Sequence, residues 1–454
     1  MQYSAPLPYA TEVAAHYYAA IADLPWAVWL DSSGCGRYDI LCAQPVTTLV
    51  TNGANTDISS ATGVRQVVED PFVLLRQQLA AADAVDSNIP FQGGAVGYWG
   101  YDLARRWMAL PAQAQDPEKL PDMVVGIYDW AVVIDHHQKA AQLVSRQRAP
   151  ATSQVLPVIL KRLHATAPAA PSDFKVHSRI QSNFTRAGYQ AAFNKVQNYL
   201  RAGDCYQINL AQRHSAMASG DAFQAYLALR HMSPAPYSAF LNLPQSQILC
   251  TSPENFLSVQ QGHVTTRPIK GTRPRAKDAQ QDAQMANDLL HSAKDRAENL
   301  MIIDLLRNDL GKICRPGSVK VPSMFDVESF AYVHHLISTV TGQLAAGQDA
   351  LALLRECFPG GSVTGTPKQR AMEIIAQLEP HRRGIYCGAI GYIGYDGNMD
   401  TNIAIRTMVY AQNKIHLWAG GGIVADSDAS AEYQETLDKA KPMLELLRRF
   451  GEPG

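Results

Sequence analysis

Hydrophobic positions along the 454-residue chain fall into two kinds of run. Some recur every three to four residues, as one face of a helix does. Others alternate or stay apolar over a short stretch, as strands do. Helical periodicity covers residues 10–22, 71–84, 185–202 and 430–447. In the second of these Pro71 stands near the start, where a missing N–H costs nothing. Strand-like runs cover 26–30, 40–51, 123–135 and 205–213. Residues 264–309 organise the rest: a β-branched strand, 264–269, breaks at Lys270-Gly271-Thr272 and leads into one long helix. Lys270 then stands where a strand meets a loop, a place from which side chains act on ligands.

Residues 165–173, ATAPAAPSD, have linker composition and divide the chain into an accessory region, 1–164, and a catalytic region, 174–450. An echo links the two. Residues 94–102 read GAVGYWGYD and residues 388–396 read GAIGYIGYD. A near-copy of this length predicts two halves on a related strand–turn plan, one keeping the chemistry and the other supporting it.

Composition, 46% hydrophobic and 18% charged, is that of a soluble globular protein. A net charge of −1 leaves no excess positive charge for a polyanion, so nucleic acid is not expected as a partner. The seven cysteines are scattered and form no C-x-x-C, which suits a reducing compartment and gives no zinc signature. No basic-then-apolar leader opens the sequence, and no apolar run is long enough to span a bilayer. The expected location is the cytoplasm, with no membrane contact.

Candidate chemistry clusters in the second half. Asp295 and Glu298 lie three residues apart on one predicted helix face, and Glu432, Glu435 and Lys439 share a face of another. Two such helices facing each other gather four carboxylates, which repel unless a cation sits between them. Oxygen ligands without histidine or cysteine select magnesium over zinc; two solvated acidic faces are the plain alternative. A magnesium site expects an anionic substrate. Arg406, on the alternating strand TNIAIRT, the glycines 420–422 and Lys439 supply groups for one. Glu254, after Ser-Pro, is a general acid if burial raises its pKa. His334 and His335 are strand neighbours pointing to opposite faces, so one at most faces the site. Residues 360–368, GGSVTGTPK, have the glycine separation of a phosphate loop but lack Gly-Lys-Ser/Thr. Pro367 cannot donate an N–H to phosphate and reads instead as the first residue of a helix, so nucleotide binding is rejected.

Taken together, SPENF, RPIKGT, AENLMIIDLLRNDLG, HHLISTVTG, FPGGSVTGTPK, GAIGY, IRT, AGGGIVADS and EYQETLDKA resemble the chorismate-using enzymes. That family includes anthranilate, isochorismate, salicylate and aminodeoxychorismate synthases. In the first half, FQGGAVGYWGYD and LPDMVVGIYDWAVVIDH resemble the accessory region of its glutamine-dependent members. The resemblance implies an α/β (α+β) fold like that of anthranilate synthase component I: a large two-sheet β-sandwich surrounded by helices, its halves interleaved.

The resemblance also implies a reaction. Gln207 stands where water-adding members carry a lysine base, and glutamine cannot deprotonate water. Lys270 stands where anthranilate synthases carry alanine. PIKGT is similar to the members that form 4-amino-4-deoxychorismate, toward 4-aminobenzoate and folate. In that reading Lys270 attacks C2 of chorismate as the C4 hydroxyl leaves, and ammonia then adds at C4 and expels the lysine. Neighbouring magnesium and arginine would lower the lysine pKa. Glu254 is the acid and later the base. Magnesium is held by Glu298 and Glu435, with Asp295 and Glu432 nearby, and takes the ring carboxylate. Arg406, Lys439 and the Gly421 backbone take the enolpyruvyl carboxylate. Thr272, His335, Thr364 and Tyr386, with Gln207, belong to the substrate pocket.

The sequence SGCGR at 33–37 lacks the context of a glutaminase elbow, so ammonia is expected from a separate glutamine amidotransferase subunit. Relatives hold tryptophan in a non-catalytic pocket, here corresponding to Ser32, Arg37, Tyr38, Pro236, Tyr237 and Ser238. The loop 31–36 is shorter than in such a relative, which leaves that ligand open. The alternatives in function are an anthranilate synthase component and a catalytically silent regulator binding chorismate or tryptophan.

Overall fold

The computed structural model describes residues 3–80, 88–165, 174–330 and 333–451. The first half runs β1 (Tyr3–Leu7), α1 (Val13–Ala19), β2 (Ala27–Asp31), β3 (Tyr38–Cys42), β4 (Thr47–Asn52), β5 (Asn55–Ser60), β6 (Gly63–Val67), α2 (Pro71–Leu79), β7 (Gly94–Trp99), β8 (Met123–Tyr128), β9 (Trp130–Asp135), β10 (Ala140–Ser145) and α3 (Thr152–His164). The second half begins β11 (Lys175–Val176), β12 (Gln181–Ser182), α4 (Arg186–Arg201), β13 (Gln207–Ser219), α5 (Phe223–Met232), β14 (Tyr237–Leu243), β15 (Ser246–Ser252), β16 (Asn255–Gln260) and β17 (His263–Thr266). It continues β18 (Ile269–Pro274), α6 (Ala279–Leu290), α7 (Ala293–Gly311), β19 (Lys320–Ser329), β20 (Val333–Gln343), α8 (Ala350–Cys357), β21 (Gly365–Thr366) and α9 (Lys368–Leu378). It ends β22 (Ala389–Gly394), β23 (Met399–Ile403), β24 (Thr407–Ala411), β25 (Lys414–Ile423) and α10 (Ala429–Arg449).

Two long strand-like runs turn out to be crossings between sheets. Residues 40–51 leave the first sheet after β3 and enter the second as β4, bending at Gln44 (φ 54°) before Pro45. Residues 123–135 return by the same route, from β8 to β9, with only Asp129 between. The continuous apolar character of the second run fits this, because β8 and β9 are covered on both faces and show no alternation.

The first sheet has the order β1-β10-β9-β3-β2-β14-β15-β24-β25-β13-β11, and the second β18-β20-β17-β16-β23-β22-β7-β8-β4-β5-β6. Both read outward from a midline. In the first sheet, β2 and β14 are flanked by β3 and β15, then by β9 and β24. In the second, β7 and β22 are flanked by β8 and β23, then by β4 and β16. The second half makes the same crossings, from β15 to β16 and from β23 to β24. The sequence echo sits on the midline. β7 pairs antiparallel with β22, with Gly97 opposite Gly391, so a local two-fold passes between them. A Cβ on Gly97 would lie 2.1 Å from the Val124 carbonyl oxygen, and one on Gly391 would lie 2.1 Å from that of Asp400. Both positions admit only hydrogen.

The inner core lies between the sheets and under α2, α7 and α8, where Val28, Leu49, Val96, Ile390, Phe72, Ile302 and Leu354 are buried together. A second core lies outside the first sheet. There α1, α3, α5 and α10 cover it through Tyr18, Ile159, Tyr226 and Met443.

Residues 264–309 differ from the expectation in two ways. Arg267-Pro268 separates β17 from β18, and the chain stays a strand through Lys270. What looked like a break is a β-bulge: the register against β20 shifts between Lys270 and Thr272, and Gly271 takes φ 78°. The single helix is two, because Ser292 caps a new start, accepting from the Asp295 amide. The segment β18–α6–α7–β19 has no counterpart in the first half, where β5 leads directly to β6. Residues 81–84 of the expected helix and 166–173 of the linker lie outside the described residues. Among the described residues no helix is long and apolar enough to cross a membrane.

Candidate active site

The bulge aims Lys270 into a cavity of about 570 Å³ between β18, β25, α7 and α10. Gly271 is needed there on a second count: a Cβ would lie 2.8 Å from the Asp295 carboxyl carbon. The Lys270 amine donates to the Ser362 carbonyl at 3.5 Å. Burial lowers its pKa below the ordinary lysine value; Glu298 and Glu254 oppose this, and the Lys439 ammonium adds to it. Burial, rather than the neighbouring cations expected from sequence, is thus the main cause.

Glu254 occupies the crossing from β15 to β16 and is 5% exposed. Burial raises its pKa, held back by the Lys270 amine and by Ser362. A carboxyl group in that state is suited to deliver a proton.

All four predicted carboxylates line this one cavity. Asp295, in the first turn of α7, pairs with Arg273 at 3.0 Å. Glu298 is raised by burial, with Lys270 and Lys294 opposing, while Asp295 and Glu435 repel it further. On α10, Glu435 meets Lys439 at 2.5 Å. Burial pushes Glu435 up, but Lys439, with Lys294 and Lys270, outweighs it and the pKa ends below the usual value. Glu432 accepts from Ser427 through Oε1 at 2.7 Å; its buried Oε2 has no partner among the described residues. Gly421 makes room for the pair, since a Cβ there would lie 2.8 Å from Glu432 Oε2.

Among the described residues no three His, Cys, Asp or Glu side chains are grouped tightly enough to cage an ion by themselves. The chemistry of the donors still fits magnesium. They are hard oxygens, two of them repel across the cavity, and one buried oxygen is orphaned. Magnesium takes few protein carboxylates and completes its shell with water and substrate oxygens.

The same cavity holds groups for an anion. Arg406 is not on a strand: β23 stops at Ile403, β24 starts at Thr407, and Arg406 sits in the crossing with φ 50°. Among the described residues its guanidinium forms no ion pair, and burial lowers its pKa. Lys439 donates to the Gly420 carbonyl at 3.0 Å. Tyr386 stacks on Trp418 with ring centroids 6.2 Å apart. His335 Nδ1 lies 2.9 Å from Thr272 Oγ1. Burial, with Arg406 adding, takes the His335 pKa down to about 4, so at neutral pH the ring is uncharged. His334 turns the other way, to Asp282 and Ser329.

Three predicted residues are not in the cavity wall. Thr364 is fully buried and donates to the Gly360 carbonyl; Ser362 and Val363 take its place. Gly421 lies against Glu432 and Glu435 of α10, which fill the space over it, while Ala419, Gly420 and Gly422 line the cavity. Gln207 is sealed behind Gly422, whose Cβ would lie 3.0 Å from it, and among the described residues its amide has no partner. Asn209, Arg273, Lys294, Ser362 and Trp418 line the cavity without having been expected. Asn209 was within reach of the sequence, being two residues beyond Gln207 on an alternating strand.

A second cavity, of about 220 Å³, lies near the local two-fold and is lined by Ser32, Arg37, Tyr38, Pro236, Tyr237 and Ser238. Asp31 and Asp400 also line it; burial pushes Asp400 up to about 6. Arg37 is held by Asp135 at 2.8 Å.

This two-sheet fold and its acid-lined cavity go with a family match. The profile of the chorismate binding enzymes covers residues 27–445, and the chain belongs to that family of enzymes. It is 48% identical over 450 residues to aminodeoxychorismate synthase component 1 of Salmonella typhimurium, covering 97% of each chain. It is 39% identical over 393 residues to anthranilate synthase component 1 of Thermus thermophilus, covering 86% of this chain and 85% of the relative. The crystal structure of anthranilate synthase component I from Streptococcus pneumoniae superposes with a TM-score of 0.81 at 34% identity, covering 90% of this chain and 92% of that one. The expected sandwich fold is therefore the observed one.

Proposed function

We propose that the chain aminates chorismate at C4, forming 4-amino-4-deoxychorismate, as the large subunit of a synthase whose glutamine amidotransferase partner supplies ammonia. The observation that carries this is an enclosed lysine amine, with its pKa lowered, in one cavity with a buried glutamic acid and an arginine that forms no ion pair among the described residues. Near-full-length identity to an enzyme of that name supports the same reading.

In the first step the neutral Lys270 amine bonds to C2, the ring double bonds shift, and the C4–O bond breaks. Glu254 gives its proton to the leaving hydroxyl, which departs as water. In the second, ammonia bonds to C4, the double bonds shift back, and the lysine nitrogen leaves C2 with its electron pair. The Glu254 carboxylate takes the proton released from the new ammonium group. Magnesium would be held by Glu298 and Glu435, beside Asp295 and Glu432, and would supply positive charge to the ring carboxylate. Arg406 and Lys439 hold the enolpyruvyl carboxylate, and the uncharged His335 and Tyr386 wall the ring.

The product decides between this and the anthranilate reading. With chorismate, magnesium and ammonium, the expected product becomes a fluorescent aromatic only after a lyase is added. Fluorescence without the lyase would overturn the proposal in favour of anthranilate formation.

The smaller cavity is a separate amino-acid site in this reading. Asp400 offers countercharge to an ammonium group, Asp31 being already paired with Arg230 at 2.8 Å, and tryptophan is the ligand implied by resemblance. Heat-extracted purified protein is expected to release tryptophan on chromatography. A clean extract, together with no binding of added tryptophan by calorimetry, would leave that assignment without support.

A further inference from the structure

Arg383 stands outside the cavity, five residues past the end of α9, and is 1% exposed. Its Nε and Nη2 donate to the two Glu379 carboxylate oxygens at 2.9 and 2.6 Å. Nη1 donates to the Val363 carbonyl at 2.8 Å. Nη2 also reaches the Asn209 carbonyl at 2.9 Å and the Asn209 side-chain oxygen at 3.2 Å. The guanidinium lies 5.7 Å from the Tyr386 ring and 4.9 Å from that of Tyr101, which comes from the first half. Glu379 in turn accepts from the Ala211 amide at 2.9 Å. Val363, Asn209 and Tyr386 are all wall residues, and the carbonyl just before Val363 is the one that receives the Lys270 amine.

One buried cation thus ties β13, the end of α9, the turn Gly361–Val363 and Tyr386 to one another. Burying a guanidinium and a carboxylate is costly, and an apolar pair of similar volume often serves stability as well. What an apolar pair lacks is direction, which a planar fork of donors imposes on every acceptor it meets.

We propose that Arg383 is a positioning residue for the reaction in the cavity: its fork orients the Asn209 amide and the Ser362–Val363 backbone against the substrate ring and the attacking amine. It touches no substrate and acts through those groups. The inference rests on the cavity being the chorismate site.

The test compares three variants by the rate of chorismate consumption in ammonia, with circular dichroism to measure the folded fraction. In the double variant R383M/E379Q both charges leave together, so neither is stranded, and the glutamine keeps an oxygen for the Ala211 amide. In R383K the charge stays but the planar fork is lost. In N209A the ion pair is untouched. A misplacement of about 1 Å costs on the order of 100-fold in rate. The expected result is a fall in kcat of about 100-fold for R383M/E379Q and at least about 10-fold for R383K and N209A, with KM for chorismate changed less than about threefold. Wild-type kcat in the folded double variant or in N209A, full rescue by R383K, or a kcat loss that merely follows the folded fraction would each overturn the inference. Wild-type protein that consumes chorismate without a Lys270 adduct would defeat the nucleophile assignment alone, because the kcat comparison does not depend on it.

Discussion

Lys270→Ala is expected to leave the chain folded and able to bind chorismate, but to lower turnover in ammonia by about 10⁴-fold or more, the scale seen when a covalent nucleophile is removed. The side chain is only partly packed, so its loss opens space beside an existing cavity rather than in the core. The direct measurement is the intact mass after incubation with chorismate and magnesium and without ammonia. Wild-type protein gains an adduct that maps to the peptide holding Lys270, and the variant gains none. A pH series sharpens the result. Only the neutral amine has a lone pair to give, and burial lowers the Lys270 pKa from the usual lysine value. The adduct rate in wild type should therefore rise along a limb displaced to lower pH than a free lysine would give. Unchanged turnover in Lys270→Ala removes this residue from the chemistry.

The second large effect concerns the acids. Removing divalent cations by chelation should stop turnover, and adding magnesium should restore it. Glu298→Gln and Glu435→Gln should each raise the magnesium needed by about 10- to 100-fold, by analogy with the loss of groups that support metal ligands. The double variant should not recover at concentrations that restore wild type. A change in amine basicity cannot mimic this. Both carboxylates favour the charged form of Lys270, so neutralising them makes more free amine, not less. Equal magnesium dependence in wild type and the double variant would free these carboxylates from the role.

The sequence was most readable where local geometry determines the outcome. The three-residue spacing of Asp295 and Glu298, and of Glu432 and Glu435, put each pair on one helix face, and both faces meet one cavity. The glycine-rich echo marked the midline of the second sheet. Where an outcome depends on the other side of the molecule, the same reasoning ran out. An apolar run does not show where a strand leaves one sheet for another, so Asp129 and Pro45 passed as interior positions. A glycine with positive φ suits a bulge as well as a loop, which is why Lys270 was read one step too far out of its strand. Motif membership gave Thr364, Gly421 and Gln207 no direction, and packing leaves all three just behind the residues that line the cavity. Arg383 drew no signal because a Glu379–Arg383 pair four residues apart is ordinary on a chain surface, and its further partners, Asn209 and Val363, are met mainly through backbone oxygens that any residue carries.

Each sheet's midline runs between strands contributed by opposite halves, and this gives the molecule the anatomy of a dimer whose subunits share a single polypeptide. Neither half has a finished surface of its own: parted at the midline, each would bare an open edge in both layers. Only one of the two repeats carries the excursion that brings Lys270, Asp295 and Glu298 to the larger cavity. The other ends the same passage in a plain hairpin at Gly63. A single chain of this plan therefore holds one such acid-lined cavity for every pair of repeats, with the other repeat packed against it as a permanent mould.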